Sequence, residues 1–291
     1  MVTIAVSQIP KTRPGRRWIT LGLILALLAL RYLVTASRIF FASEPWVIPV
    51  YEVGTYFLAA VLLVWERQAL TEYHITPLAI WIIILFRPLE TLYYPILVNK
   101  TDSPMAFPRL PSLLIFIIAL GLFIHFRTHL LSGKADQRQD WKWILIGGAV
   151  GLAMAIITSF PLSYQFGPFD PNNKNFALSS LLYGLIGIPQ QIGYAAVSEE
   201  PVFRGFLWGY LRRNGWRDQW IWLFQAGLFV LAHLYYFNTA WISFLFLIPL
   251  SGLVLGWLAW RSRSIATSMV AHGIFNSLGS TLAYLIALFR S

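Results

Sequence analysis

Residues 193–210 read GYAAVSEEPVFRGFLWGY, and the fold turns on how that stretch is understood. Taken alone, Ser198-Glu199-Glu200-Pro201 is a good soluble helix start: serine as N-cap, acids favoured by the helix dipole, and proline tolerated in the first turn. Its surroundings argue otherwise. Gly193 to Val197 before it and Val202 to Tyr210 after it are apolar, so a water-facing helix end would sit amid lipid-compatible sequence. Glu200 and Arg204 stand four apart, in the orientation that favours an ion pair on one helix face. Ionisable residues at membrane depth cost about 2.5–3.5 kcal/mol each on insertion scales, so this group needs a structural or functional reason.

The composition agrees with a membrane setting. Of 291 residues, 57% are hydrophobic and 12% charged, against roughly 45–50% and about 25% for an ordinary soluble domain. Apolar runs lie at Trp18 to Leu30, Leu113 to Phe126, Trp143 to Phe160 and Trp241 to Trp260. Several approach the ~20 residues that cross a hydrocarbon core of ~30 Å. With no cysteine in the chain, disulfides, thiolate ligands and thiol nucleophiles are excluded. The net charge of +10 comes from basic residues scattered between apolar spans, with no stripe interleaved with aromatics. Positive-inside topology explains them and nucleic acid does not.

The expected architecture is all-α: a polytopic transmembrane bundle of about eight or nine membrane segments. Spans are placed near 18–36, 45–65, 77–97, 110–127, 142–161, 190–212, 218–236, 240–260 and 264–289, with the N-terminus cytoplasmic. Lys11, Arg13, Arg16 and Arg17 precede the first span, which is read as retained because Arg31 interrupts its hydrophobic region. The span at 77–97 holds Arg87, Glu90 and three prolines, and re-entrant or interfacial readings stay open for it. The segment Leu178 to Ile188 is read as a partial helix too short to cross. This alternation puts Arg127 to Lys142, Arg212 to Arg217, and Arg261 with Arg263 on the side of the basic N-terminus.

Two further motifs follow the acidic one. Phe229-Val230-Leu231-Ala232-His233 places a histidine in an apolar span, and His272-Gly273-Ile274-Phe275-Asn276 sets a histidine and an amide on one helix face. Asn214-Gly215 is a helix-ending turn signal lying midway between Glu199 and His233. At ~1.5 Å per residue each arm climbs roughly 20 Å from that turn, so carboxylate and imidazole meet at one depth of an antiparallel hairpin. By the same arithmetic a helix returning from Arg263 raises His272 only roughly 13 Å, which leaves Asn276 the better placed of the two. Each histidine singly is more often a satisfied core residue, and the three motifs together outweigh that reading. His74, His125 and His129 fall near span ends or polar connections, where snorkelling or surface roles suffice. For the intramembrane Glu52 an interhelical hydrogen bond is the preferred reading.

Glu-Glu-x-x-x-Arg at 199–204, Phe-x-x-x-His at 229–233 and His-x-x-x-Asn at 272–276 together resemble the CAAX prenyl protease and bacteriocin-processing (CPBP, Abi) family of intramembrane proteases. The resemblance covers roughly residues 142–290. It divides the chain into additional N-terminal spans, 1–140, and a catalytic membrane domain, 141–291. It implies an all-helical membrane core with an enclosed polar catalytic cavity, in which Glu199 activates water together with His233, His272 and Asn276 stabilise the oxyanion, and Glu200 and Arg204 support the cavity or engage substrate. Amide hydrolysis independently asks for a base, an oxyanion donor and an acid for the departing amine.

Glu199, His233 and His272 would also form a zinc set, although the strongest local zinc-hydrolase signal, His-Glu-x-x-His, is absent. No cofactor is favoured, and zinc remains the alternative. The expected partners are the lipid bilayer and a membrane-anchored or lipidated protein or peptide substrate, in a prokaryotic plasma membrane. The motifs say nothing of the oligomeric state. A competing reading is a non-hydrolytic transporter, or an immunity or scaffold protein, using the same polar cavity as a proton relay. The concentration of motifs in the C-terminal half and the lack of an evident inverted repeat weigh against it. A serine protease of rhomboid type lacks its Gly-x-Ser-Gly motif here. An aspartyl protease lacks paired intramembrane aspartates, since Asp102, Asp136, Asp140, Asp170 and Asp218 fall in or beside loops.

Overall fold

The computed structural model of the chain describes residues 14–40, 47–86, 140–165 and 175–290, all helical or in short connections, with no strand among them. The helices are α1 (Pro14–Phe40), α2 (Val47–Trp65), α3 (Pro77–Phe86), α4 (Trp141–Ser163), α5 (Asn175–Gln191), α6 (Asp218–Leu231), α7 (Ile248–Ser262) and α8 (Ile265–Arg290). Among the described residues four stretches are long and apolar enough to cross a membrane: Gly15–Ser37, Trp141–Ser163, Ser243–Ser262 and Ile265–Arg290. Val50–Trp65 and Pro77–Phe86 are shorter apolar helices. The expected span at 110–127, the second half of the one at 77–97, and His125 and His129 lie outside the described residues.

The motif stretch forms the axis of the bundle. α5 does not end before Pro189 as a partial helix. It runs on through a π turn at Ile192–Ala196, one α turn at Val197–Glu200, a second π turn at Pro201–Phe206 and a final α segment, Leu207–Arg213. In each π turn a backbone N–H reaches five residues back, Val197 to Ile192 and Leu207 to Val202. Pro201 has no N–H and would crowd the preceding carbonyls of a regular helix, so widening the turn there accommodates it. Every residue from Ala195 to Gly209 is buried, as expected of a helix surrounded by others.

Around this rod α8 lies along α4 and α5, α6 along α7, and α1 along α2. The α4–α8 contact is as close as backbones allow: a Cβ on Gly147 would stand 2.6 Å from the Thr267 carbonyl oxygen, and one on Gly151 2.5 Å from that of Ala271. Two glycines four apart on one face are the small-residue device by which membrane helices pack. Gly273 of α8 meets Ile192 of the rod as intimately, since a side chain there would collide with it. At the far side of the contact, Asp140 caps α4 by accepting from the Lys142 N–H at 3.0 Å.

One end of the bundle is tied by charge. Glu66, 1% exposed, meets Arg16 at 3.8 Å and Arg213 at 3.3 Å. Arg213 also meets Glu72 at 2.7 Å, and Arg263 meets Asp218 at 3.3 Å. Of the basic residues that the span alternation assigns to one side, Arg16, Arg212, Arg213 and Arg263 are thus gathered at one end, while those of 127–138 lie outside the described residues. His74 corrects the sequence reading: it is 1% exposed, not at a surface, with its ring edge-on to Trp208 at 5.3 Å. Its carbonyl accepts the Ile265 N–H at 2.7 Å, satisfying an otherwise orphaned donor at the start of α8. Arg263, in the left-handed conformation at φ 55°, makes the turn into that helix.

Two outcomes follow. Gly151→Ala inserts a methyl against the α8 backbone and is expected to lower stability by about 1–3 kcal/mol; thermal unfolding in detergent would register this as a Tm several degrees lower, and an unchanged Tm would refute the close contact. Burial and the nearby Arg263 push the His74 imidazole down to about 3 from an ordinary 6.5. The unfolded chain then takes up a proton that the folded one refuses. Stability is therefore full above 6.5 and declines as pH falls towards 3, by on the order of 1 kcal/mol per pH unit. Unfolding followed across this window should be less acid-sensitive in His74→Asn, which tolerates the positive φ; identical slopes would contradict the assignment.

Candidate active site

Five of the six side chains singled out by sequence come together at the centre of the bundle. Glu199, Glu200 and Arg204 come from the rod, His233 from just beyond α6, and His272 from the first third of α8. All are nearly or fully shielded: Glu200 and Arg204 are 0% exposed and His233, the most open, 7%. The one-turn offset of the two π turns lets adjacent Glu199 and Glu200 both face protein while Arg204 stays beside Glu200. The hairpin arithmetic holds, since Gly215 turns the chain at φ 85° and His233 Nε2 arrives 3.6 Å from Glu199 Oε1. His233 differs from expectation in its backbone: α6 ends at Leu231, and the histidine sits in the bend that leads to a short tight turn, Leu234–Tyr236.

The two carboxylates are separately neutralised. Glu200 Oε1 meets Arg204 Nη1 at 3.3 Å and His272 Nδ1 at 2.9 Å. Arg204 spreads its guanidinium over the Phe229 ring, 4.3 Å from the centroid, a cation–π contact of the kind that substitutes for hydration. Glu199 Oε1 meets Arg31 Nη2 at 2.6 Å. Arg31 comes from α1, far from the three motifs, and its role was not read from the sequence. The signal was present, because an arginine inside a first membrane span demands a partner. The same Nη2 lies 2.5 Å from His233 Nε2, and Nη1 donates to the Tyr51 hydroxyl of α2 at 3.2 Å.

These partners fix the histidine tautomers. The Phe229 carbonyl, 2.7 Å from His233 Nδ1, can only accept, so Nδ1 carries the hydrogen. Arginine can only donate, so Nε2 of His233 offers its lone pair to Arg31. Both ring nitrogens of His233 are therefore engaged. His272 gives its Nδ1–H to Glu200 and turns Nε2 towards Glu199 Oε2, 4.0 Å away. Glu199 Oε2 is buried and has no protein hydrogen-bond partner. Glu200 Oε2 is likewise buried without a hydrogen-bond partner, and it is Glu199 Oε2, 4.0 Å from His272 Nε2, that forms with that nitrogen a pair of acceptors able to face a reacting molecule.

Asn276 stands apart from this group. One turn further along α8, its Nδ2 donates to Gln191 Oε1 at 3.4 Å. The order of the two α8 residues is thus the reverse of that estimated from helix rise: His272 reaches the carboxylates, and Asn276 faces the end of α5. The close fit of Gly273 on Ile192 brings α8 inward at the histidine. Glu52 is buried beside Tyr51 and lines a small cavity with Tyr56, Tyr194 and Ser198, on the side of the rod next to Glu199.

The zinc set Glu199, His233 and His272 does not fit a metal in this arrangement. Two of its donor atoms, Glu199 Oε1 and His233 Nε2, converge on a guanidinium nitrogen. Among the described residues no three His, Asp or Glu side chains are grouped so as to hold an ion.

No curated protein and no solved structure gives a significant match to the chain. Residues 182–278, the segment that carries Glu199, Glu200, Arg204, His233, His272 and Asn276, match the family model of the type II CAAX prenyl endopeptidases, Rce1-like, the family that the three motifs resemble.

Proposed function

We propose that the chain is an intramembrane endopeptidase of glutamate type that cleaves a membrane-anchored or lipidated protein or peptide. The observation that carries this reading is the pair of open acceptors, Glu199 Oε2 and His272 Nε2, 4.0 Å apart in a buried site. A water molecule placed between them would be within hydrogen-bond reach of both. Glu199, paired with Arg31, takes a proton from that water as its oxygen attacks the carbonyl carbon. The tetrahedral oxyanion is stabilised by an N–H donor, with Asn276 as the candidate side chain, since the one N–H of His272 is given to Glu200. Glu199 then passes the proton to the departing amine nitrogen as the C–N bond breaks. His233, whose nitrogens are both engaged, orients Glu199 through Arg31.

The match to a family described as CAAX prenyl endopeptidases makes a protein terminus held in the bilayer by a lipid the first substrate class to test, alongside peptide precursors that span it. The end of the bundle that carries Arg16, Arg213 and Arg263 is taken as cytoplasmic by the positive-inside rule. A prokaryotic plasma membrane remains the proposed location.

Purified protein presented with a library of membrane-anchored peptides should release defined fragments. Glu199→Gln is expected to lower kcat/KM by about 10²–10⁴ and Asn276→Ala by about 10²–10³, the usual ranges for a general base and an oxyanion donor. Cleavage by Glu199→Gln at the parental rate would exclude the mechanism, and a parent protein that cleaves nothing but carries protons or solutes in vesicles would favour a carrier.

A further inference from the structure

The cation that faces Glu199 and His233 comes from the chain itself. Arg31 lies on α1, far outside residues 182–278, and is 7% exposed. A single nitrogen, Nη2, bridges Glu199 Oε1 at 2.6 Å and His233 Nε2 at 2.5 Å, and its two N–H bonds match the two acceptors. The other terminal nitrogen, Nη1, donates to the hydroxyl of Tyr51, whose ring centroid stands 6.0 Å from the guanidinium carbon. One turn further along α1, Thr35 donates to the Ala232 carbonyl at 2.7 Å, fastening α1 beside the bend that bears His233. Three elements outside the carboxylate motif thus fix where this one positive charge sits.

We propose that Arg31 is a positioning residue that stands in for a metal ion, holding the Glu199 carboxylate and the neutral His233 ring where a divalent cation would otherwise bind them. This rests on the hydrolytic reading for its effect on rate, and on geometry alone for its effect on metal binding. A zinc ion shared by these two atoms would have to sit about 2.0–2.2 Å from each, within the volume the guanidinium fills. Arginine suits the task because it stays protonated and its planar fork bonds several acceptors in fixed directions. A purely structural ion pair would need Glu199 alone. The bond to His233 Nε2, a lone pair of the kind that ligates metals and the one left available once Nδ1–H is given to the Phe229 carbonyl, sets this contact apart.

The test uses the full-length protein in detergent, in parental form and as Arg31→Lys, Arg31→Gln and Arg31→Ala. Each is equilibrated with zinc chloride, desalted, assayed for bound zinc, and then assayed for cleavage with and without chelator. The parent and Arg31→Lys are expected to retain less than about 0.1 zinc per chain and Arg31→Ala about one, lost again when Glu199→Ala or His233→Ala is added. Metal-free Arg31→Gln should lose about 10²-fold in kcat with KM nearly unchanged, and Arg31→Lys should recover most of it.

Stoichiometric zinc in the parent, removed by Glu199→Ala, would overturn the proposal, as would Arg31→Ala that takes up no zinc while eluting as a folded, monodisperse species. Undiminished kcat in metal-free Arg31→Gln would overturn it too. Should Arg31→Ala not fold, the zinc content of Arg31→Gln decides by the same criteria. A parent that cleaves nothing would remove the hydrolytic reading and leave the zinc measurement to decide this one.

Discussion

Two adjacent carboxylates lie on one buried rod in an apolar bundle, and the arrangement around them is set by the need to neutralise both. An unpaired buried charge costs several kcal/mol, and like charges one residue apart aggravate the cost. The chain supplies two guanidiniums by different routes. Arg204 reaches Glu200 from one turn along the same rod, a local solution. Arg31 reaches Glu199 from α1, a solution that requires α1 to be pinned against the rod, α2 and the α6 bend. The histidines then partition in the same way, His233 with the Arg31 side and His272 with the Glu200 side.

This partition also distinguishes the two acids chemically. Glu200 is engaged by Arg204 and His272 through one oxygen and is 0% exposed, so it acts as an anchor for the His272 ring. Each acid keeps one oxygen without a hydrogen-bond partner, and that of Glu199 lies 4.0 Å from Nε2 at the opposite edge of that same ring. A general base needs a free lone pair at a position where a reacting molecule can sit, and Glu199 Oε2 meets that condition. The tight backbone approaches at Gly151 and Gly273 matter here because they set the depth and distance of α8, and so of His272.

Much of this was legible in the sequence, for reasons that are local. Glu200 and Arg204 pair because helical spacing puts them on one face, and Glu199 meets His233 because Asn214-Gly215 turns the chain midway between them. What was not legible depends on tertiary packing. The π turns shift the register by an amount no 3.6-residue period reveals. His272 reaches the carboxylates because two glycines let α8 approach closely, which helix rise alone does not register. His74 is buried because the connector after α2 folds onto Trp208 and the start of α8. Arg31 could be singled out as an intramembrane charge, but its partner lies across the bundle.

The most direct measurement of the central contact is a double-mutant cycle between Arg31 and Glu199, read as unfolding free energy in detergent for Arg31→Met, Glu199→Gln and the pair. The two single variants each break a charged contact at buried depth, and the double removes both charges together. A direct ion pair requires a coupling of about 1–3 kcal/mol, with the double variant less destabilised than the sum of the singles. Strict additivity would mean that the guanidinium of α1 does not touch the carboxylate, and the site would have to be assembled without it.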